Sequence, residues 1–315
     1  MRPWRVHIFC IMSITTHSFS RFTHSFFSIG ALLALTLCLA GCSQPRADER
    51  PLLVVSIEPL RYVAEAVAGP GWRVETLMPQ GASPETYEPT PRRMQHMQGA
   101  RLLLCCGTLG FEATTLPRLA AAAQAPPLLR LDGGITPLAA TPHSHEGHAV
   151  HHADDESADP HVWMSARNLK LMARNLCQAL QQTDSLHHHD YALRLHRFEQ
   201  RIDSVDAALQ HMLRHARGQH FLIFHPALGY FARDYGLHQL AVEHDGKEPS
   251  AARMAALTTK VKQQGVHTVF ISREHTGMPA RRIAEELQLK LVEINPLAYD
   301  VPAQMLLIAQ AMAQR

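Results

Sequence analysis

The sequence predicts an α/β protein: two βα lobes with parallel sheets, joined by one long rigid helix. Three observations predict it. Short, continuous apolar runs alternate with helical segments over residues 52–131 and again over 221–313, the pattern of strands covered on both faces by their crossover helices. Between these stretches, residues 190–217 carry the most regular helical period in the chain. The length, 315 residues with 46% hydrophobic, exceeds what one small core needs.

The elements follow in order. LLVVSI at 52–57 is a buried-strand run, and residues 59–68 have helical spacing. A second strand is expected at 72–77, and a short helix at 91–98 after the turn EPTP. A third strand at 101–106, a helix at 111–123 and a fourth strand at 128–131 complete the first set. A polar, His-rich stretch then breaks the pattern. Residues 165–182 read as a helix with Ser165 as N-cap. In 190–217, Tyr191, Leu195, Phe198, Ile202, Val205, Leu209 and Met212 fall on one stripe, and a helix of that span is about 40 Å long. Strands are expected again at 221–224, 239–242, 268–272 and 290–294, with helices at 227–235, 251–264, 279–287 and 302–313. The chain thus divides into a leader at 1–41, an N-terminal lobe at 42–164 with a His-rich loop at 141–159, helices at 165–217 including the linker 190–217, and a C-terminal lobe at 218–315.

The leader reads as an export signal. Arg2, Arg5 and Arg21 supply positive charge, no acid precedes Asp48, and residues 26–40 form the apolar region. Leu39-Ala40-Gly41-Cys42 resembles the lipobox of bacterial lipoproteins, in which the cysteine is lipidated and becomes the first residue; Cys42 is the expected anchor. A membrane-spanning anchor is the competing reading, but the run is short and polar SQPRADER follows it. Met12 is an alternative start. Beyond the leader and Cys42, three cysteines remain. Cys105 and Cys106 lie in an apolar strand and read as small core residues, and a bridge from one of them to Cys177 is permitted but not favoured.

Composition excludes some functions. Lys+Arg 30 against Asp+Glu 28 gives no electrostatic case for nucleic acid, and an aromatic content of 6% does not suit a base-stacking surface. The abnormal count is 22 His, which points to metal or pH chemistry.

Sites in open α/β sheets lie beyond the carboxyl ends of the strands. His225 directly follows the run FLIF, His161 stands in DPHVW ahead of the Ser165 helix, and Glu85 lies in the loop after the second strand. Two imidazoles and a carboxylate suit a divalent first-row metal. Each residue alone also has a plain reading, as a hydrogen-bonded strand-end histidine or a solvated loop group.

These segments carry a family resemblance. GASPETYEPTP (81–91), DPHVWMS (159–165) and FHPALGYFARDYGL (224–237) resemble the motifs G-A-D-P-H-x-Y-E-P-T-P, D-P-H-x-W-x-S and F-H-x-A-x-x-Y-F-x-x-x-Y-G-L of the metal-binding receptors of bacterial ABC importers, the cluster A-I or ZnuA/TroA-like family. The resemblance implies two βα lobes bridged by one helix, and capture of Zn²⁺, or Mn²⁺ in some branches, for a membrane permease. It places His161 and His225 among the ligands and puts Glu85 where many members have the first histidine. The C-terminal acid of many members is Asn295 here. Asp300 is the candidate replacement, against the reading of an N-cap for the helix that follows. Glu274, Glu243 and Asp245 also follow strands and are candidates for a fourth ligand or its support, and a water is the other option. His143, His145, His148, His151 and His152, with Asp154, Asp155 and Glu156, resemble the charged His-rich loop of the zinc branch, an auxiliary weak metal site as against a solvated loop.

The clues to the metal conflict. The carboxylate favours harder Mn²⁺ or Fe²⁺, whereas the His-rich loop and the Irving–Williams order favour Zn²⁺, which is the expected cargo. The expected partners are an ABC permease subunit and, through lipid on Cys42, a bacterial membrane; a monomer on its periplasmic or outer face is expected. Two rivals stand against this. A zinc hydrolase needs two His, an acid and a base; His145-Glu146-Gly147-His148 has the wrong spacing for H-E-x-x-H, and Glu88 is the available base. The other rival is a surface adhesin on the same scaffold.

Overall fold

The computed structural model describes residues 48–121, 125–139, 158–243, 250–273 and 278–314. The leader, Cys42, and His143, His145, His148, His151 and His152 lie outside the described residues.

The first sheet is built from β1 (Leu52–Val55), β2 (Arg73–Thr76), β3 (Leu102–Cys105) and β4 (Leu128–Arg130) in the order β2-β1-β3-β4, all parallel. Its helices are α1 (Glu58–Ala68), α2 (Pro91–Met97) and α3 (Gly110–Ala120). The second sheet has β5 (His220–Ile223), β6 (His238–Ala241), β7 (Thr268–Ser272) and β8 (Lys290–Ile294) in the order β6-β5-β7-β8, again parallel. Its helices are α6 (Gly229–Tyr235), α7 (Ala251–Gln263), α8 (Met278–Glu286) and α9 (Val301–Ala313). In both sheets the order reverses beside the first strand, which creates a crevice at its carboxyl end.

Burial explains why the strands read as unbroken apolar runs. Phe221 and Ile223 of β5 face one core, and Leu222 faces another, so neither side of the strand meets water. The larger core is continuous from the first sheet through Phe270 and Ile294 of the second to Met305 and Ile308 of α9. The described residues from Arg50 onward form one compact unit.

The chain crosses between the sheets through α4 (Ala166–Thr183) and α5 (His188–Leu213). Ser165 caps α4, accepting the amide of Asn168 at 3.2 Å. The 26 residues of α5 span about 39 Å. Its stripe is buried at Tyr191, Phe198, Ile202 and Leu209 and packs on α1, α4 and α9, so the linker is part of the core. The sequence extends this helix to 217, but it stops at Leu213. A turn follows, with the amide of Ala216 on the carbonyl of Leu213 and Gly218 at φ +78°.

Side-chain bonds stitch the two halves together. Trp163, fully buried, donates its indole N–H to the carbonyl of Pro296 at 2.8 Å. The hydroxyl of Tyr230 donates to the carbonyl of Asp159 at 3.3 Å and accepts the amide of Leu138 at 3.2 Å. Tyr299 donates to Glu65 at 2.6 Å. Cys105, Cys106 and Cys177 are free and buried, so the permitted bridge is not formed. Burial pushes the Cys105 thiol up to about 12, which keeps it protonated and inert.

Candidate metal centre

His225 stands two residues beyond β5, in the crevice of the second sheet. Its ring lies between three acceptors. Nε2 is 3.1 Å from Oε1 of Glu85 and 3.3 Å from Nε2 of His161, and Nδ1 is 3.1 Å from Oε2 of Glu243. The ring is mostly buried, which lowers its pKa, but its hydrogen bond to the Glu243 carboxylate and the charges of Glu85, Glu243 and Asp159 outweigh this and leave it above the usual histidine value.

His161 is held from below. Oδ1 of Asp159 accepts both its backbone amide and its Nδ1, each at 2.9 Å. An ionised carboxylate only accepts, so Nδ1 carries the proton and Nε2 presents its lone pair to the crevice. His161 is 4% exposed, with Trp163 edge-on at 5.3 Å. The carbonyl of Pro160 accepts the hydroxyl of Thr108 at 2.8 Å. The loop bearing Thr108 is itself organised by Glu112, buried, whose carboxylate accepts the amides of Cys106, Thr108 and Leu109 at 3.1 to 3.2 Å. Burial raises the pKa of that carboxyl, and the amides pull against it. Gly229 has a matching reason to be glycine: a β-carbon there would collide with Oδ2 of Asp159.

Glu85 comes from the loop between β2 and α2. Tyr87 fastens the loop, its hydroxyl on the carbonyl of Leu77 at 2.9 Å and its ring edge-on to Phe111 at 5.2 Å. Glu88 accepts the hydroxyl of Thr115 at 3.0 Å, which engages the acid that sequence offers as a base. The Glu85 side chain is 39% exposed, against 13% for His225.

The spacing suits a small cation. Donors bound at 2.0–2.1 Å on tetrahedral zinc are about 3.4 Å apart, and the contacts of His225 Nε2 at 3.1 and 3.3 Å lie close to that edge. Glu85, His225 and Glu243 each offer a donor within 4.8 Å of the others, and His161 closes on Nε2 of His225 from its own side.

Asp300 does not join the cluster. It is exposed and caps α9, its Oδ1 accepting the amide of Ala303 at 3.0 Å. The N-cap reading therefore replaces the ligand reading, because the carboxylate is spent on an otherwise orphaned helix amide. Asp300→Ala is expected to lower thermal stability by about 1 kcal/mol, read from a denaturant midpoint, with zinc affinity unchanged. Asn295 is also turned away, its Oδ1 accepting the amide of Leu297 at 3.0 Å. Glu274 and Asp245 lie outside the described residues.

The family model for the zinc-uptake complex component A, periplasmic (ZnuA), matches residues 53–308. The chain belongs to the ZnuA family. A putative metal-binding protein of Treponema pallidum is 30% identical over 277 residues, covering 82% of this chain and 85% of that protein. The zinc-binding lipoprotein AdcA of Streptococcus pneumoniae is 30% identical over 294 residues, covering 85% of this chain; this chain spans only 55% of AdcA. Among solved structures, a crystal structure of ZnuA shares 30% identity and superposes with a TM-score of 0.76 over 84% of this chain and 98% of that one. The two parallel sheets and the connecting helices are those of the ZnuA family.

Proposed function

We propose that this ZnuA-family chain is an extracytoplasmic receptor that captures Zn²⁺ with Glu85, His161 and His225 and delivers it to an ABC-type permease. One observation supports the reading: Nε2 of His225 has a carboxylate oxygen of Glu85 at 3.1 Å and Nε2 of His161 at 3.3 Å, both close to the edge of a zinc tetrahedron, and the three residues come from distant parts of the chain. A solvent molecule on the exposed Glu85 side completes the shell. Mn²⁺ and Fe²⁺ are the alternatives, but a site with two imidazoles binds Zn²⁺ more tightly than either by the Irving–Williams order.

The role is transport and not hydrolysis. Asp159 and Glu243 hold ring nitrogens and Glu88 holds Thr115, so these acids are engaged by the scaffold and not aimed at a metal-bound water. The apolar segment at 26–40 and the LAGC sequence ending at Cys42 support export and a lipid anchor on the periplasmic or outer face of a bacterial membrane. Among the described residues no helix is long and apolar enough to cross a membrane. The His-rich loop supplies weak auxiliary sites. The test is growth of a deletion strain in zinc-depleted medium. Growth is expected to fail and to recover with added zinc; recovery with manganese but not zinc overturns the choice of metal.

A further inference from the structure

Resting on the ligand set proposed above, we propose that Glu243 is a positioning residue, neither a fourth ligand nor a bystander: it takes the Nδ1 proton of His225 and so fixes Nε2 as a bare lone pair aimed at the cargo. Pairing between β5 and β6 continues past both strands and sets this contact. The amide of Val242 donates to Ile223 and the amide of Glu243 to Phe224, each at 2.9 Å, so Glu243 is locked beside the residue that precedes His225. Its side chain is 7% exposed, and its Oε2 meets Nδ1 at 3.1 Å. Glu243 thus contacts Nδ1, whereas Glu85 and His161 contact Nε2, the other ring nitrogen. A buried carboxylate needs a donor, and the ring N–H is that donor. The two histidines are then built alike: Asp159 holds Nδ1 of His161, Glu243 holds Nδ1 of His225, and both rings turn the same nitrogen inward. Carboxylates so placed raise ligand basicity, and losing one lowers metal affinity about 10–100-fold.

The experiment compares the wild-type receptor with Glu243→Leu and Glu243→Gln, all with the remaining chain intact. Long-range ¹H–¹⁵N spectra of the metal-free proteins report which nitrogen of His225 is protonated. Competition with a chromogenic chelator reports zinc affinity. Cobalt absorption reports the ligand set. At a pH above its raised pKa, wild-type His225 is expected to carry its single proton on Nδ1. Glu243→Leu is expected to move it to Nε2 and to weaken zinc binding about 10–100-fold. Glu243→Gln keeps an acceptor oxygen in place and is expected to restore the tautomer, most of the affinity and the wild-type cobalt band. An unchanged tautomer and affinity in Glu243→Leu overturns the proposal. So does a cobalt band altered in Glu243→Gln, which makes Glu243 a ligand. If Glu243→Leu does not fold, the wild-type spectrum still decides: a neutral His225 with its proton on Nε2 overturns the proposal. Full affinity in His225→Ala overturns the ligand set itself; full affinity in Glu243→Leu alone overturns only the role of Glu243.

Discussion

His225→Ala is expected to weaken zinc binding by about two orders of magnitude or more. Zinc sites with three or four protein donors bind with roughly 10 kcal/mol or more, so each donor carries about 3 kcal/mol, which is about a hundredfold in affinity. His225 bears more than an average share. Its Nε2 is the atom that both Glu85 and His161 approach, so its removal separates the remaining two donors. The substitution also leaves Glu243 buried without its ring partner, and some loss of thermal stability is expected with it. Zinc titration with a competing chelator checks the first effect and a melting curve without metal checks the second. Affinity equal to wild type in a folded variant would remove His225 from the centre.

The second large effect is acid release. Zinc binds the neutral imidazole, so protons compete with it, and affinity falls about tenfold per pH unit for each donor being protonated. The acidic surroundings of His225 hold its pKa above the usual histidine value, so competition begins at a higher pH than for a solvent-exposed histidine. The sign for stability follows. In the metal-free protein a raised folded-state pKa contributes stability that is full below the unfolded-state value and is lost as pH rises through the folded-state value. In the zinc-loaded protein the same ring is neutral and metal-bound. The rise in melting temperature on adding zinc is therefore expected to grow from pH 5 to pH 7.5, and its vanishing at neutral pH is the contrary result. Paired melting curves with and without zinc across this range measure it.

Much of the fold was legible. The strands at 52–57 and 268–272 are unbroken apolar runs because both faces of each sheet are covered, and such runs cannot be confused with a half-exposed strand. The end of the linker helix was not. Ala216 continues the apolar rhythm and is buried, yet it belongs to a turn, and a stop set by Gly218 in the left-handed region weighs little against seven periodic residues. At the centre, strand ends and a Pro-flanked loop pointed to Glu85, His161 and His225, and the fold brings the first two against Nε2 of the third. The hold of Asp159 on His161 was hidden, because a hydrogen bond reaching across one proline has no periodicity to reveal it. Asp300 drew attention as a nearby acid, but helix capping and metal binding ask for the same residue type, and only coordinates separate them.

The three donors differ in how tightly they are anchored, and this sets the order in which bonds to cargo break. Two imidazoles stand in packed surroundings with their rear nitrogens tied to acids, whereas the carboxylate rides on a surface segment and keeps 39% of its side chain open to solvent. A multidentate ion departs one bond at a time, beginning with the donor that moves most freely. With zinc held as proposed, unloading is expected to start at Glu85. A membrane partner that tugs this single segment can draw the ion out while the twin sheets stay as they are.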